Sequence, residues 1–160
     1  MLGLIQKFRI LAFKLMWKKK RLRIGKRVKF KAPVLITGKG VVIIENDVTF
    51  GHHKSIGFFS DYILLDARCK TSKIWIKSGS IVGNGVAINS FASKIIIGKD
   101  CLIGPKTVIL DSDFHPIEPS KRRDKPLSKM VLLGDNVTTG YCSLILKGVN
   151  ICKGSFVGAL

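Results

Sequence analysis

An aliphatic residue recurs every six positions in three separate runs of this 160-residue chain. The recurring residues are Ile76, Val82 and Ile88, then Ile97, Ile103 and Ile109, then Leu133, Ile145, Ile151 and Val157, with Thr139 filling one place. A small or β-branched residue usually follows four positions later, as at Ser80, Val86, Ala92, Cys101, Thr107, Val137, Ser143, Val149 and Ser155. A six-residue unit fits one short strand and one tight corner. Three units therefore predict a triangular coil of about 18 residues, with both positions pointing inward.

The period predicts an all-β fold in which successive coils stack through parallel strand pairing. Earlier units keep the same step with irregular joins and are marked by Ile24, Phe30, Ile44, Phe50 and Ile56. We expect about five to six coils, forming one domain over residues 24–160. The alternative, an ordinary sandwich of short strands, does not explain so many aliphatic positions in one phase.

One segment breaks the period. The stretch HPIEPSKRRDKPLSKMVL, residues 115–132, is polar, contains three prolines and does not repeat. Long loops in compact domains are usually functional, so we predict an excursion from one corner that covers or builds a site.

The first 31 residues carry twelve of the 28 Lys and Arg and none of the ten acidic residues, so most of the net charge of +18 lies there. Residues 1–23 predict a basic amphipathic helix, because at about 100° per residue one set of cations shares a face. These cations are Lys7, Lys14, Lys18 and Arg21. At a membrane surface the helix would bury leucines, Phe13 and Trp17 while the basic run meets anionic headgroups. The alternative, at even odds, is a helix that caps the end of the fold.

The same segment excludes two other interpretations. Charged residues interrupt its apolar stretch, so it predicts neither a transmembrane helix nor a cleaved signal peptide. A basic arm also suits nucleic acid, but the rest of the chain has few aromatic residues on which bases could stack, so no nucleic-acid partner is expected. We expect a cytoplasmic protein, either free or peripheral at the inner face of the membrane.

The cysteines show no spacing of a metal site or a disulfide framework, which favours a reduced, cytoplasmic chain. They are Cys69, Cys101, Cys142 and Cys152. The three histidines, His52, His53 and His115, do not form a recognisable zinc spacing, so no metal is expected.

The stretch INSFASKIIIGKDCLIGPKTVILDSDFHPIEPSKRRD, residues 88–124, resembles the hexapeptide-repeat acetyltransferases of sugars. That family includes galactoside and maltose acetyltransferases and enzymes of capsule and lipopolysaccharide synthesis. The resemblance implies a left-handed parallel β-helix, a homotrimer with active sites between neighbouring subunits, and acetyl-CoA as co-substrate. It also implies transfer of an acetyl group to a sugar hydroxyl in bacterial surface polysaccharide synthesis, with a sugar or lipid-linked glycan as acceptor.

His115 stands at the start of the predicted loop, after the sequence DSDF. Transfer to a hydroxyl needs a base that is largely neutral near pH 7 and can then carry the proton, and imidazole meets that demand. The resemblance implies that His115 deprotonates the acceptor without an acyl-enzyme. Two alternatives stay open for Asp111 and Asp113: one of them orients the ring, or it is a solvated turn carboxylate.

The resemblance implies further site residues. Asn89 and Asp113 are expected near the acceptor, although Asn89 would equally serve as a corner residue in a ladder. Backbone amides at Tyr141 and Ala159 are expected to hold the acetyl-CoA arm. Lys147 and Lys153 are expected to meet its phosphates, unless they are solvated corner lysines.

Two departures from the family pattern bear on the function. Thr138 occupies a position where the family often has tryptophan, so one apolar wall of the site is missing or comes from elsewhere. The sequence stops at Leu160, ten residues into a coil. The alternative function is therefore a catalytically impaired or structural β-helix protein with an open, truncated C-terminal coil.

Overall fold

The computed structural model describes residues 2–17 and 19–159. One helix, α1 (Leu2–Leu15), precedes a short 3₁₀ turn (Lys19–Arg21) and a run of strands. In chain order the strands are β1 (Leu22–Ile24), β2 (Lys29–Phe30), β3 (Val34–Gly38), β4 (Val41–Ile44), β5 (Thr49–Phe50), β6 (Ile63–Ala67), β7 (Lys73–Ile76), β8 (Ile81–Val82), β9 (Ala87–Ser90), β10 (Lys94–Ile97), β11 (Leu102–Ile103), β12 (Val108–Leu110), β13 (Val131–Leu133), β14 (Thr138–Thr139), β15 (Leu144–Ile145), β16 (Asn150–Ile151) and β17 (Phe156–Val157). A second 3₁₀ turn spans Pro119–Lys121.

Every third strand belongs to the same sheet, and all strand pairs are parallel. Sheet A is β1-β4-β7-β10-β13-β16, sheet B is β2-β5-β8-β11-β14-β17 and sheet C is β3-β6-β9-β12-β15. The chain is therefore a left-handed parallel β-helix, as predicted. It has five complete coils and a sixth that ends in sheet B, and its corners are named here A–B, B–C and C–A after the sheets they join.

The six-residue period is explained by the interior. Most recurring aliphatic side chains are fully buried, and so are most of the small residues four positions later. Among the exceptions, Ala92 and Ser155 are half-buried and Val149 is exposed. Thr139 fits an aliphatic position because its hydroxyl accepts a hydrogen bond from the Gly104 N–H at 2.9 Å and lies 3.0 Å from the Thr107 hydroxyl. A buried hydroxyl with partners costs little, whereas one without them destabilises a core.

Two loops leave the coils, where the sequence predicted one. The 111–130 loop joins β12 to β13 at the C–A corner, so it begins four residues before the predicted start. The 51–62 loop joins β5 to β6 at the B–C corner. Ile56 was expected to mark a repeat unit, but this assignment is wrong: Ile56 lies in the 51–62 loop and is exposed, and Ile63 resumes the core.

Helix α1 is shorter than predicted and packs on the first coil. It ends at Leu15, so Arg21 lies in the 3₁₀ turn rather than on a helical face, and Lys18 falls outside the described residues. The first strand begins at Leu22, two residues before the predicted boundary. In the membrane-surface alternative Phe13 and Trp17 would face lipid, but they pack on the protein, as a helix that caps the end of the fold would have them do. The ring centroids of Phe13 and Tyr62 lie 5.4 Å apart, and those of Trp17 and Phe30 lie 5.1 Å apart.

Trp17 covers the end of the core at the first coil. Its indole N–H donates to the Val34 carbonyl at 2.8 Å, and its ring packs against the buried cluster. Within residues 2–17 and 19–159, no helix combines the length and the apolar character needed to cross a bilayer.

Candidate active site at the C–A and B–C corners

Asp111 anchors the start of the 111–130 loop to the coil beneath it. Its carboxylate is fully buried and accepts hydrogen bonds from the Ser90 hydroxyl at 2.7 Å, the Phe91 N–H at 2.6 Å and the Ser93 N–H at 2.9 Å. A carboxylate that accepts several such bonds is held firmly, because each bond to a charged group is stronger than a neutral one. Asp111 is therefore a structural residue at this corner, and its carboxylate faces the chain below rather than His115.

The base of the loop is closed by a short antiparallel bridge between Ser112 and Ser128. The Ser112 hydroxyl donates to the Leu127 carbonyl at 3.0 Å, and the Lys129 N–H donates to the Asp111 carbonyl at 2.9 Å. Both ends of the loop are thus fixed on the coil, which restricts the positions that residues between them can take.

Phe114 turns the chain outward just before His115. It has a φ of 61°, a left-handed conformation that is uncommon for a bulky residue and needs support from its surroundings. That support comes from Phe91, whose ring meets the Phe114 ring edge-on at 6.0 Å, and from the Arg68 guanidinium, 4.8 Å from the Phe114 ring centroid. His115 follows and is exposed to solvent.

Asp113 forms an ion pair with Lys147, which lies at the C–A corner of the next coil. Both side chains are about one quarter to one third exposed. The two predicted site residues are therefore brought together, and the pair ties the loop to the coil above it. Among the described residues, neither Asp113 nor Asp111 bonds the His115 ring. An ammonium group has three donors, so the pairing leaves Lys147 with donors for a further anion.

Asn89 lies in the middle of sheet C rather than at a corner, so the alternative of a corner residue is wrong. Within β9 it stands in register with Asp66 of β6 and Leu110 of β12. Its side-chain oxygen is buried without a hydrogen-bond partner among the described residues. Most buried acceptors in proteins have a partner, so this oxygen is an exception that has almost no accessible surface.

An apolar groove lies on the other side of the coils, along sheet B and the B–C corner. It has a volume of about 430 Å³ and is lined by His52, Ser55, Ile81, Gly83, Leu102, Ile103, Gly104, Pro105, Thr139 and Tyr141. Small-molecule sites commonly have volumes of several hundred Å³ and mostly apolar walls with a few polar groups. The repeat pattern did not single out this groove, because exposed side chains that the period leaves free, such as Ile81, Leu102 and Tyr141, form much of its wall.

Tyr141 combines two groups that fit a ligand in this groove. The flanking N–H groups of Gly140 and Cys142 donate to the Val157 and Pro105 carbonyls, whereas the N–H of Tyr141 has no acceptor among the described residues. The pKa of the Tyr141 phenol is raised above its usual 10.0, first by a hydrogen bond with the neighbouring Cys142 and by that group's charge. The phenol therefore stays protonated at neutral pH and can donate.

Thr138 stands in register between Leu102 and Phe156 in sheet B. The apolar wall that the family often builds with tryptophan is absent at Thr138 itself. Phe156, whose side chain is 72 % exposed, offers an aromatic ring one coil further along the same sheet. Sequence reasoning missed Phe156 because it neighbours Thr138 only through the strand stacking.

The four residues predicted to hold acetyl-CoA lie on three different corners of one chain. Tyr141 and Ala159 stack at the B–C corner, Lys147 lies at the C–A corner and Lys153 lies at the A–B corner. A single chain does not bring these residues together. Within one subunit, His115 and the groove also lie on different corners.

Asn84 is a buried residue that sequence reasoning missed. Its amide donates to the His52, Ser55 and Ile56 carbonyls and its oxygen accepts from the His52 N–H at 3.0 Å. These bonds hold the 51–62 loop against coil three and place His52 at the edge of the groove. In the described part of the chain, no three His, Cys, Asp or Glu side chains cluster as metal ligands would.

Comparison with known proteins shows a partial similarity to a sugar acetyltransferase. A galactoside O-acetyltransferase of Lactococcus lactis subsp. lactis (strain IL1403) is 35 % identical over 66 residues. These residues are 41 % of this chain and 31 % of the relative, so the match spans less than a third of that protein. No family model matches the chain, and no solved structure matches it significantly. Together with the parallel β-helix, the similarity supports a relationship to hexapeptide acyltransferases over part of the chain.

Proposed function

We propose that the protein is an acetyl-CoA-dependent O-acetyltransferase that acts on a sugar hydroxyl. The observation that carries the proposal is the position of His115, an exposed imidazole held at the start of a loop whose ends are fixed on a parallel β-helix. The partial similarity to a galactoside O-acetyltransferase supports the same class of reaction.

In the proposed reaction, His115 takes the proton of the acceptor hydroxyl as the hydroxyl oxygen attacks the thioester carbonyl carbon. The carbon–sulfur bond then breaks, the acetyl group stays on the acceptor oxygen, and the imidazolium returns its proton to the departing thiolate. Placed bases of this kind contribute about 10² to 10⁴ in rate. Asn89 would contact the acceptor from β9, where it stands in register with Leu110 at the end of the strand that leads into the 111–130 loop.

We propose that the site forms between two subunits of a homotrimer. His115 and Lys147 would come from the C–A corner of one subunit, and the groove with Tyr141 and Ala159 from the B–C corner of its neighbour. This arrangement agrees with the separation of the two corners within one chain. It gives the acetyl-CoA arm an apolar groove with the free Tyr141 N–H, while Lys153 stays a prediction as a phosphate contact.

The acceptor we propose is a sugar or lipid-linked glycan of bacterial surface polysaccharide synthesis. The reaction would take place in the cytoplasm, and the four free cysteines agree with a reducing compartment.

The test is release of CoA thiol from acetyl-CoA in the presence of a panel of sugar acceptors. His115→Ala is expected to lower kcat/KM by about 10² to 10⁴. His53→Ala is the matched control, because His53 is also exposed but lies in the 51–62 loop. Turnover that is unchanged in His115→Ala would remove the proposed mechanism. A wild-type trimer that does not bind CoA in isothermal titration would favour the structural β-helix instead.

A further inference from the structure

Helix α1 docks on the β-helix through a face that is largely polar and aromatic. Gln6 is buried, and its amide donates to the Phe58 carbonyl at 2.7 Å and the Lys31 carbonyl at 3.3 Å. The Arg9 guanidinium donates to the Ser60 and Asp61 carbonyls at 3.0 and 2.9 Å. With Phe13 on Tyr62, these contacts fix the rotation of the helix about its axis.

The opposite face of α1 is apolar and points to solvent. Leu15 is 79 % exposed, Leu4 74 % and Phe8 70 %, and Leu11, Ile5 and the following Met16 are also exposed. At about 100° per residue, Leu4, Phe8, Leu11 and Leu15 fall within an arc of about 60° on the side away from Gln6 and Arg9, and Ile5 lies about 60° beyond Phe8. A soluble helix normally turns its apolar stripe to the core, so α1 has the reverse arrangement. Contiguous exposed apolar patches of this kind mark interaction surfaces.

Cations border the apolar face. Lys7 is exposed on one flank, and Lys20, Arg21 and Arg23 follow the helix with exposed side chains. The first 31 residues contain no acidic residue. The partner must therefore accept apolar side chains and carry negative charge alongside them.

We propose that α1 docks the protein on an anionic lipid surface through the face formed by Leu4, Phe8, Leu11 and Leu15. The apolar side chains enter the boundary between headgroups and acyl chains, and the flanking cations meet lipid phosphates. The face of α1 that carries Gln6 and Arg9 stays packed on the β-helix, so the protein binds the membrane without unfolding its N-terminus. This proposal is independent of the acetyltransferase proposal, because it requires no turnover.

The charge of the N-terminal segment distinguishes between two possible partners for the apolar face of α1, a membrane and a second copy of the chain. Two copies that joined through α1 would bring together two segments with twelve Lys and Arg each, of which, among the described residues, only Arg27 forms an ion pair with a carboxylate. Like charges brought close together repel, whereas an anionic surface neutralises the cations beside and after the helix. The lipid surface is therefore the occupant that the charges favour.

The experiment is flotation of the full chain with phosphatidylcholine vesicles that contain phosphatidylglycerol, compared with phosphatidylcholine alone. The wild type is expected to float with the anionic vesicles and to be released as the salt is raised from about 0.1 M to about 1 M. Phe8→Ser with Leu15→Ser is expected to lower the apparent affinity at least about tenfold, because two large apolar side chains no longer enter the lipid. Both positions are exposed, so folding is retained.

The matched control is Ile56→Ser with Ile117→Ser, which removes two equally exposed apolar side chains outside α1. This control is expected to bind as the wild type does. The proposal is overturned if the α1 variant floats as well as the wild type, or if the wild type binds neither kind of vesicle. It is also overturned if the substitutions in α1 leave vesicle binding unchanged and alter only the oligomeric mass measured by sedimentation. The apolar face would then join two copies of the chain.

Discussion

His115 owes its position to the residues that precede it rather than to a hydrogen-bond partner of its own. Asp111 fixes the chain to the coil below through three hydrogen bonds, and Asp113 fixes it to the coil above through Lys147. After these two anchors, Phe114 takes a left-handed backbone conformation against Phe91 and leads into His115. The backbone that leads to the base is therefore fixed before substrate binds, which favours catalysis because less of the chain has to be ordered.

Asp111→Asn is expected to lower the free energy of unfolding by about 2–4 kcal/mol, because the amide cannot accept all three bonds and presents a donor to donors. It is also expected to lower turnover by loosening the 111–130 loop. Thermal unfolding and limited proteolysis of the loop would measure both effects. Asp124→Asn, in the exposed part of the same loop, is the control and should leave both unchanged. Equal stability of the two variants would contradict the anchoring role of Asp111.

The role of an individual residue could be predicted from the sequence only where its chemistry and its neighbours in the chain pointed to the same function. His115 follows DSDF at the break of the repeat, so it was found. Asn84 and Phe156 act through neighbours 32 and 18 residues away, and no local signal marks them. Asp111 was noticed, but its role was left open because its bonds run to the previous coil.

At the scale of the coil, close backbone approach at the corners decides which residues fit. A Cβ on Gly104 would collide with the carbonyl oxygens of Thr139 and Gly140 in the next coil. A Cβ on Gly134 would lie 2.7 Å from the backbone nitrogen of Lys153. The glycine that follows many aliphatic positions therefore reflects stacking between coils.

Gly104→Ala is expected to destabilise the protein by about 1–3 kcal/mol, the usual cost of overpacking, because backbone atoms of the next coil cannot move aside. Gly158→Ala is the matched control, since a Cβ there meets nothing within 4 Å. Chemical denaturation of both variants would measure the difference. If the two substitutions cost the same, close approach is not the reason for glycine at this corner.

The number of coils and the parallel pairing were predictable, because both follow from side chains that must point inward every six residues. The 51–62 loop was not predictable, because Ile56 and Gly57 match the six-residue pattern by chance. The predicted helix extended past Leu15 because basic residues continue the amphipathic pattern, whereas pairing of Leu22 with Val42 already begins the sheet. The six-residue period therefore predicts the coils but does not predict the loops that interrupt them.

At the scale of the molecule, each chain carries two separate halves of the proposed site. The half with His115 lies at the C–A corner, and the half with Leu102 and Tyr141 lies at the B–C corner. Helix α1 packs on β3, which is three strand intervals, about 14 Å, from β12. A membrane bound through α1 would therefore lie beside the first coil, three coils below the coil that leads into His115.

Separate halves predict that two inactive variants restore each other in a mixed trimer. His115→Ala removes the base, and Leu102→Glu places a charge in the apolar groove of an otherwise intact chain. Each variant alone is expected to be inactive. After random co-assembly at equal concentrations, the base is intact in half of the subunits and the groove in the other half, so about a quarter of the interfaces carry both intact halves. Turnover should then reach about a quarter of the wild-type value. A mixture as inactive as its components would mean that the base and the groove do not meet across a subunit interface.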